Sequence, residues 1–163
     1  MKHWLMKSEP SVYSIDDLAR DRRTLWSGVR NYQARNYMTQ SMTVGDPVLF
    51  YHSNAEPPGI AGLMRVSARA VADPSQFDPK SEGYEPRAST TAPTWACVEV
   101  EFVAKLARYL SLDELRALPA LAKMELLRKG SRLSIQPVEA EAFAVVCQHA
   151  GVTEEGSPRR RAR

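Results

Sequence analysis

The chain has 163 residues, 44% hydrophobic and 25% charged, a composition that fits one soluble globular domain with a sizeable core. Its net charge of +3 overstates any basic character, because Arg159, Arg160, Arg161 and Arg163 supply +4 and leave the rest near −1. The composition therefore gives no strong evidence for extended duplex binding, and no apolar run approaches the roughly 18 residues of a membrane helix.

In chain order, His3 to Lys7 reads as a first strand stopped by Pro10. Ser14 caps a short helix over Ile15 to Ala19, with Asp17 at its third position. Asp21-Arg22-Arg23 reads as a polar loop, and a helix is expected from about Asn31 to Thr39. A turn at Val44 to Pro47 leads into the apolar run Val48 to His52, a strand buried along its length. Ile60 to Val71 is a long strand, with Gly62 marking a bulge or a close backbone approach. Residues 73 to 93 read as a long, mobile crossing segment. Trp95 to Leu106 is the third long strand, with Val98, Val100 and Phe102 alternating against Glu99 and Glu101.

Ser111 and Glu114 form a capping box for a helix over Leu112 to Leu118. Leu121 to Leu127 is ambiguous, a second short helix or a broken continuation. Arg132 to Pro137 is a short strand, and Val138 to Ala150 is the clearest helix, with Gly151 just past its end. Strands spread along the chain, with helices between them but no regular alternation, give an α+β class. The domain is placed at 1–152. Residues 153–163 are expected to be a disordered basic tail, a weak attachment to polyphosphate or an aid to solubility. Met1 to Lys7 has no signal-peptide h-region, so a cytoplasmic protein is expected, free to associate with the nucleoid. Cys97 and Cys147 sit in apolar runs and read as reduced core residues.

The stretch Trp26 to Tyr37 fits no ordinary core pattern. Its density of aromatics, arginine and amides suits a flat, polar ligand such as a nucleobase; the plainer alternative is a surface helix with a half-buried Tyr and solvated arginines. No glycine-rich phosphate loop, useful acid pair or zinc signature is present, so no cofactor and no metal is expected. His52, in Tyr51-His52-Ser53-Asn54 after a buried strand, reads as ligand-lining rather than catalytic, because no orienting carboxylate or oxyanion site accompanies it. Three segments compete for one pocket: Lys7-Ser8-Glu9-Pro10, Trp26 to Asn36, and Tyr51 to Asn54. Trp95, ordinarily a core aromatic, and Arg132-Leu133-Ser134 join them on the same logic.

Four ordered motifs, Trp4 to Pro10, Trp26 to Asn36, Gly45-Asp46 leading to Phe50-Tyr51-His52-Ser53, and Ser131 to Val138, resemble the EVE domain over about residues 3 to 150. The resemblance implies a PUA-like fold, a curved β-barrel flanked by short helices, in one superfamily with YTH and ASCH domains. It also implies a non-catalytic module that binds a modified nucleobase, of the 5-methylcytosine type in DNA or a modified base in RNA. Carried over by position, the pocket is lined by Lys7, Ser8 and Glu9, by Trp26, Asn31, Tyr32, Arg35 and Asn36, and by Tyr51, His52 and Ser53. Arg132 and Ser134 lie nearby.

On this reading Trp26 stacks on the base, while Ser8 and the Asn31 and Asn36 amides read its polar edges. Lys7, Arg35 and Arg132 attract phosphate. Trp26→Ala is then expected to abolish binding with little effect on melting. Ser27 stands where many members carry an acidic residue, which weakens any charge-based readout there. The alternatives are an enzyme of nucleic-acid or nucleotide metabolism using His52, or a small-metabolite module. The sequence sets no oligomeric state.

Overall fold

A computed structural model describes residues 1–160. Six strands form one mixed sheet: β1 (His3–Ser8), β2 (Arg23–Leu25), β3 (Pro47–His52), β4 (Gly59–Ala72), β5 (Ala96–Ser111) and β6 (Ile135–Val138), in the order β2-β5-β4-β3-β1-β6. β1 lies parallel to β3, with Trp4 opposite Val48 and Ser8 opposite His52, and antiparallel to β6. The remaining pairings are antiparallel. The α+β class and PUA-like architecture hold. The sheet is open, however: among the described residues no pairing joins β2 to β6, so the expected barrel does not close.

Among the described residues four α-helices cover the sheet: α1 (Ile15–Asp21), α2 (Tyr32–Asn36), α3 (Leu112–Arg116) and α4 (Ala140–Ala150). Successive strand residues point to opposite faces, and here both faces are buried, which explains the unbroken apolar run of β3. One face carries Leu5, Leu49 and Leu63 against Leu115 of α3 and Phe143 and Val146 of α4. The other carries Trp4, Met6, Phe50 and Met64 against Leu18 of α1, Ala34 of α2 and Met38. The Trp4 indole N–H donates to Asp46 Oδ2 at 3.0 Å, and the Thr43 N–H donates to the same oxygen at 2.9 Å. That bond ties the middle of the sheet to the turn before β3.

Local sequence signals locate most boundaries. Ser14 with Asp17, and Ser111 with Glu114, form the two capping boxes, and Gly151 ends α4 with φ of 73°. Pairing of β4 with β5 shifts register between Ile60 and Gly62. At Gly62 the backbone passes so close to Ile15 and to the Ala104 carbonyl that a Cβ would collide with both. The loop expected at 21–23 contains the start of β2, three residues too few for period-2 reading. The helix expected to Thr39 ends at Asn36 and widens into a π-helical turn over Tyr37–Ser41. Leu121 to Leu127 resolves into two 3₁₀ turns, Pro119–Leu121 and Glu125–Leu127.

The expectation of a mobile crossing segment after β4 is corrected near its ends. Gln76, fully buried, donates from Nε2 to the Asp73 and Trp95 carbonyls and accepts at Oε1 from the Thr94 and Trp95 N–H groups. One amide thus staples the start of the segment to its end. In the expected tail, the Arg159 N–H and Nε–H donate to the Gly151 and Val152 carbonyls. Arg161 and Arg163 lie outside the described residues. Both cysteines are free and buried, and burial raises their thiols to about 12 for Cys97 and about 11 for Cys147. Among the described residues no helix is long and apolar enough to cross a membrane.

Candidate functional site

A cavity of about 350 Å³ opens where the C-terminal end of β1 meets the segment after β2. Lys7, Ser8 and Tyr13 line one side, Trp26 to Arg30 another, and Ser134 closes it. Each wall has a local cause. The Glu9 carbonyl accepts from the Val12 and Tyr13 N–H groups, and the Ser8 hydroxyl donates to the Tyr13 carbonyl at 2.6 Å, so the chain turns tightly after β1. The Trp26 N–H donates to the Val98 carbonyl, continuing the β2–β5 edge by one residue. Its indole packs edge-on against Phe50, with centroids 5.4 Å apart and planes at 85°. The Lys7 N–H donates to the Ser134 carbonyl at 2.9 Å, which brings the residues before β6 alongside the end of β1.

The wall from Trp26 to Arg30 is fixed by Asp73, which is fully buried. Gly28 takes φ of 84°, a left-handed conformation natural to glycine, and its N–H donates to Asp73 Oδ2 at 2.7 Å. The same oxygen accepts from Arg30 Nη1 at 3.0 Å, while Oδ1 accepts from the Ser75 N–H and hydroxyl. The other Arg30 donors go to the Val29 and Gly83 carbonyls and to Ser75 Oγ. A guanidinium has five N–H donors, and all five of these are engaged within the protein. Arg30 is a clamp rather than a phosphate ligand.

The thirteen residues expected to converge divide among several places. Lys7, Ser8, Trp26 and Ser134 share the cavity. Asn31 and Arg132 line a neighbouring groove of about 480 Å³. Tyr32, Arg35 and Asn36 stand against the residues leading into β5: the Tyr32 ring stacks on Trp95 at 4.9 Å, and Arg35 lies 4.7 Å over Tyr32 and donates to the Thr94 carbonyl. Glu9 is exposed at the turn, and the Ser53 N–H donates to the Ser8 carbonyl. Tyr51 is buried in the core on the α4 side of the sheet, with Lys7 Nζ 5.8 Å from its ring centroid. The oxygens of the expected base-reading amides are engaged, because Asn31 Oδ1 caps α2 through the Ala34 N–H and Asn36 Oδ1 accepts from Arg35.

His52 holds a structural position. Its Nε2 accepts from the Ile15 N–H at 3.1 Å, fastening the first residue of α1 to the end of β3. Burial lowers its pKa, with Asp16 opposing and Lys105 adding to the shift. A histidine depressed below its ordinary 6.5 contributes stability that is present above that value and lost as pH falls through the folded value. The wild type is therefore expected to lose stability below about pH 6.5 by more than His52→Gln does, as read by thermal melts across pH 5 to 8. Identical pH profiles would contradict this role.

Sequence reasoning missed Tyr13, Asp73 and Gln76, and gave Arg30 no role. Only Arg30 carried a signal, as a cation inside the densest motif. Nothing in local spacing couples it to an aspartate 43 residues away.

A family model described as EVE domain matches residues 2–149. The chain belongs to the EVE domain family. This EVE domain is 40% identical over 162 residues to thymocyte nuclear protein 1 of Homo sapiens, covering 88% of the chain and 72% of that protein. It resembles the crystal structure of human THYN1 protein in complex with 5-methylcytosine containing DNA, with a TM-score of 0.84 and 39% identity, covering 97% of this chain and 100% of that one. A hypothetical protein from Leishmania major superposes with a TM-score of 0.88 at 45% identity, covering 92% and 94% of the two chains.

Proposed function

We propose that this EVE domain is a non-catalytic reader of a modified base, of the 5-methylcytosine type in DNA, and that the cavity beside Trp26 receives that base out of its stack. The observation that carries the reading is the cavity itself, about 350 Å³ between Trp26 and Tyr13 with the hydroxyls of Ser8 and Ser134 among its lining, in a chain so close to a relative solved with methylated DNA. The hydroxyl of Ser8 gives its proton to the Tyr13 carbonyl and keeps lone pairs to accept from a base N–H. Reading rather than catalysis is supported by the same engagements: the Ser8 proton is committed, and the His52 lone pair is taken by the Ile15 N–H.

Stacking contributes about 1–3 kcal/mol per base, and an apolar recess for one methyl group about 1–3 kcal/mol. A panel of methylated, hydroxymethylated and unmodified single and double strands, as DNA and RNA, is expected to show a preference of roughly 10- to 200-fold for one modified DNA base. Equal affinity for modified and unmodified strands would overturn the proposal, and a preference confined to RNA would overturn its choice of DNA.

A further inference from the structure

The base cavity and the neighbouring groove share a wall. On one side the chain passes from cavity to groove between Arg30 and Asn31; on the other it passes from groove to cavity between Leu133 and Ser134. Each changeover takes a single peptide unit, about 3.8 Å. The groove is the larger hollow, at about 480 Å³, and its outer bank is the loop from Arg128 to Leu133. That loop is held as a turn: the Ser131 N–H donates to the Arg128 carbonyl, and Gly130 takes φ of 78°.

Three cations stand on this bank, Arg128, Lys129 and Arg132, all exposed. Glu125 is the one acid among the groove's lining residues, and its carboxylate is taken up by partners on the same bank. Its Oε1 accepts from the Ser131 hydroxyl at 2.8 Å and its Oε2 lies 3.7 Å from Arg128. The remaining lining is neutral and polar or apolar, with the Asn31 side-chain oxygen already capping α2.

We infer that this groove carries the sugar–phosphate backbone flanking the base held in the cavity, with Lys129 and Arg132 as its principal phosphate contacts. The inference rests on the base-reading proposal and adds the path of the strand. A nucleotide cannot enter the cavity without its phosphates, which must lie along the mouth within a few ångströms, and the basic bank begins two residues from Ser134. Lys129 supplies a compact point charge and Arg132 a planar fork, both suited to phosphodiester oxygens. Arg30 and Arg35 are nearer in sequence to the aromatic wall, but Arg30 is fully engaged by Asp73, Ser75, Val29 and Gly83, and Arg35 is held by three bonds to Asn36 and Thr94. The bank also explains how a body with little net charge could bind a polyanion: three of its cations stand together on one loop, with one acid beside them.

The test is the double variant Lys129→Ala/Arg132→Ala, with oligonucleotides carrying 5-methylcytosine or cytosine at one position, titrated at several salt concentrations. Both substitutions are on exposed side chains of a loop, and an unchanged melting temperature verifies the fold. Affinity is expected to fall severalfold for both strands alike, with a log–log salt dependence shallower by about 1 to 2 and an unchanged ratio of methylated to unmethylated affinity. An unchanged affinity and salt slope, with methyl preference intact, would overturn the strand path while leaving the base reading in place. A wild type without methyl preference whose binding is still weakened by the double variant would overturn the base reading instead. If the wild type binds neither strand but binds an acidic peptide through these two residues, the groove is a protein-docking surface and the inference fails.

Discussion

Asp73→Ala is expected to destabilise the protein by about 3 kcal/mol, the low end of the cost of breaking a buried charge pair, because Arg30 retains a quarter of its side-chain surface in water. The substitution removes one acceptor set from four donors: the Gly28 N–H, Arg30, and the Ser75 N–H and hydroxyl. The melting temperature should fall by roughly 6–12 °C for a chain of this size. The pH dependence separates the charge from the packing. Burial alone would raise the Asp73 pKa, but hydrogen bonds from Ser75, Gly28 and Arg30 more than offset it and hold the carboxyl below its ordinary 3.8. A depressed carboxylate stabilises fully above that ordinary value and loses its contribution as pH falls through the folded one. Asp73→Asn should therefore be less stable than wild type at neutral pH and converge on it below about pH 4. A neutral-pH stability within error of wild type would show that the clamp is ornamental.

Trp26→Ala is expected to cost more, about 3–5 kcal/mol, and this revises the sequence-based expectation of little change in melting. Trp26 is only 7% exposed and packs on Phe50, so it belongs to the core cluster of Met6, Val98 and Ile135 as much as to the cavity. Loss of binding in that variant would therefore be ambiguous. Trp26→Phe keeps an aromatic wall and most of the burial, and is expected to remain folded while the preference for a methylated base falls severalfold. Urea melts and a paired affinity ratio read the two effects separately. A Trp26→Phe variant with unaltered preference would remove the indole from the recognition surface.

Much of the molecule was legible in sequence because its signals are local. Capping boxes at Ser14 and Ser111, the glycine after α4 and the doubly buried run of β3 each reflect interactions within a few residues. The motifs also located the cavity's corners, since Lys7-Ser8, Trp26 and Ser134 lie where strands end. What stayed hidden depends on partners distant in sequence. Asn31 and Asn36 looked like free amides until their oxygens were seen to cap α2 and to hold Arg35. His52 looked like a pocket residue because nothing in its neighbours reveals that it receives the Ile15 N–H. The family resemblance grouped Tyr32 and Arg35 with Trp26 in one pocket, whereas in the structure they stand against Trp95, whose ring also lies under the Arg30 guanidinium.

The chain has three tryptophans, and their indole N–H groups report on separate regions in a single ¹H–¹⁵N spectrum. During titration with a short oligonucleotide carrying one 5-methylcytosine, the Trp26 indole resonance is expected to shift. The Trp4 indole, bound to Asp46 inside the sheet, should stay in place. The unmethylated strand should move Trp26 much less at equal saturation. Saturable binding of the methylated strand with an unmoved Trp26 resonance would contradict a base seated beside that indole.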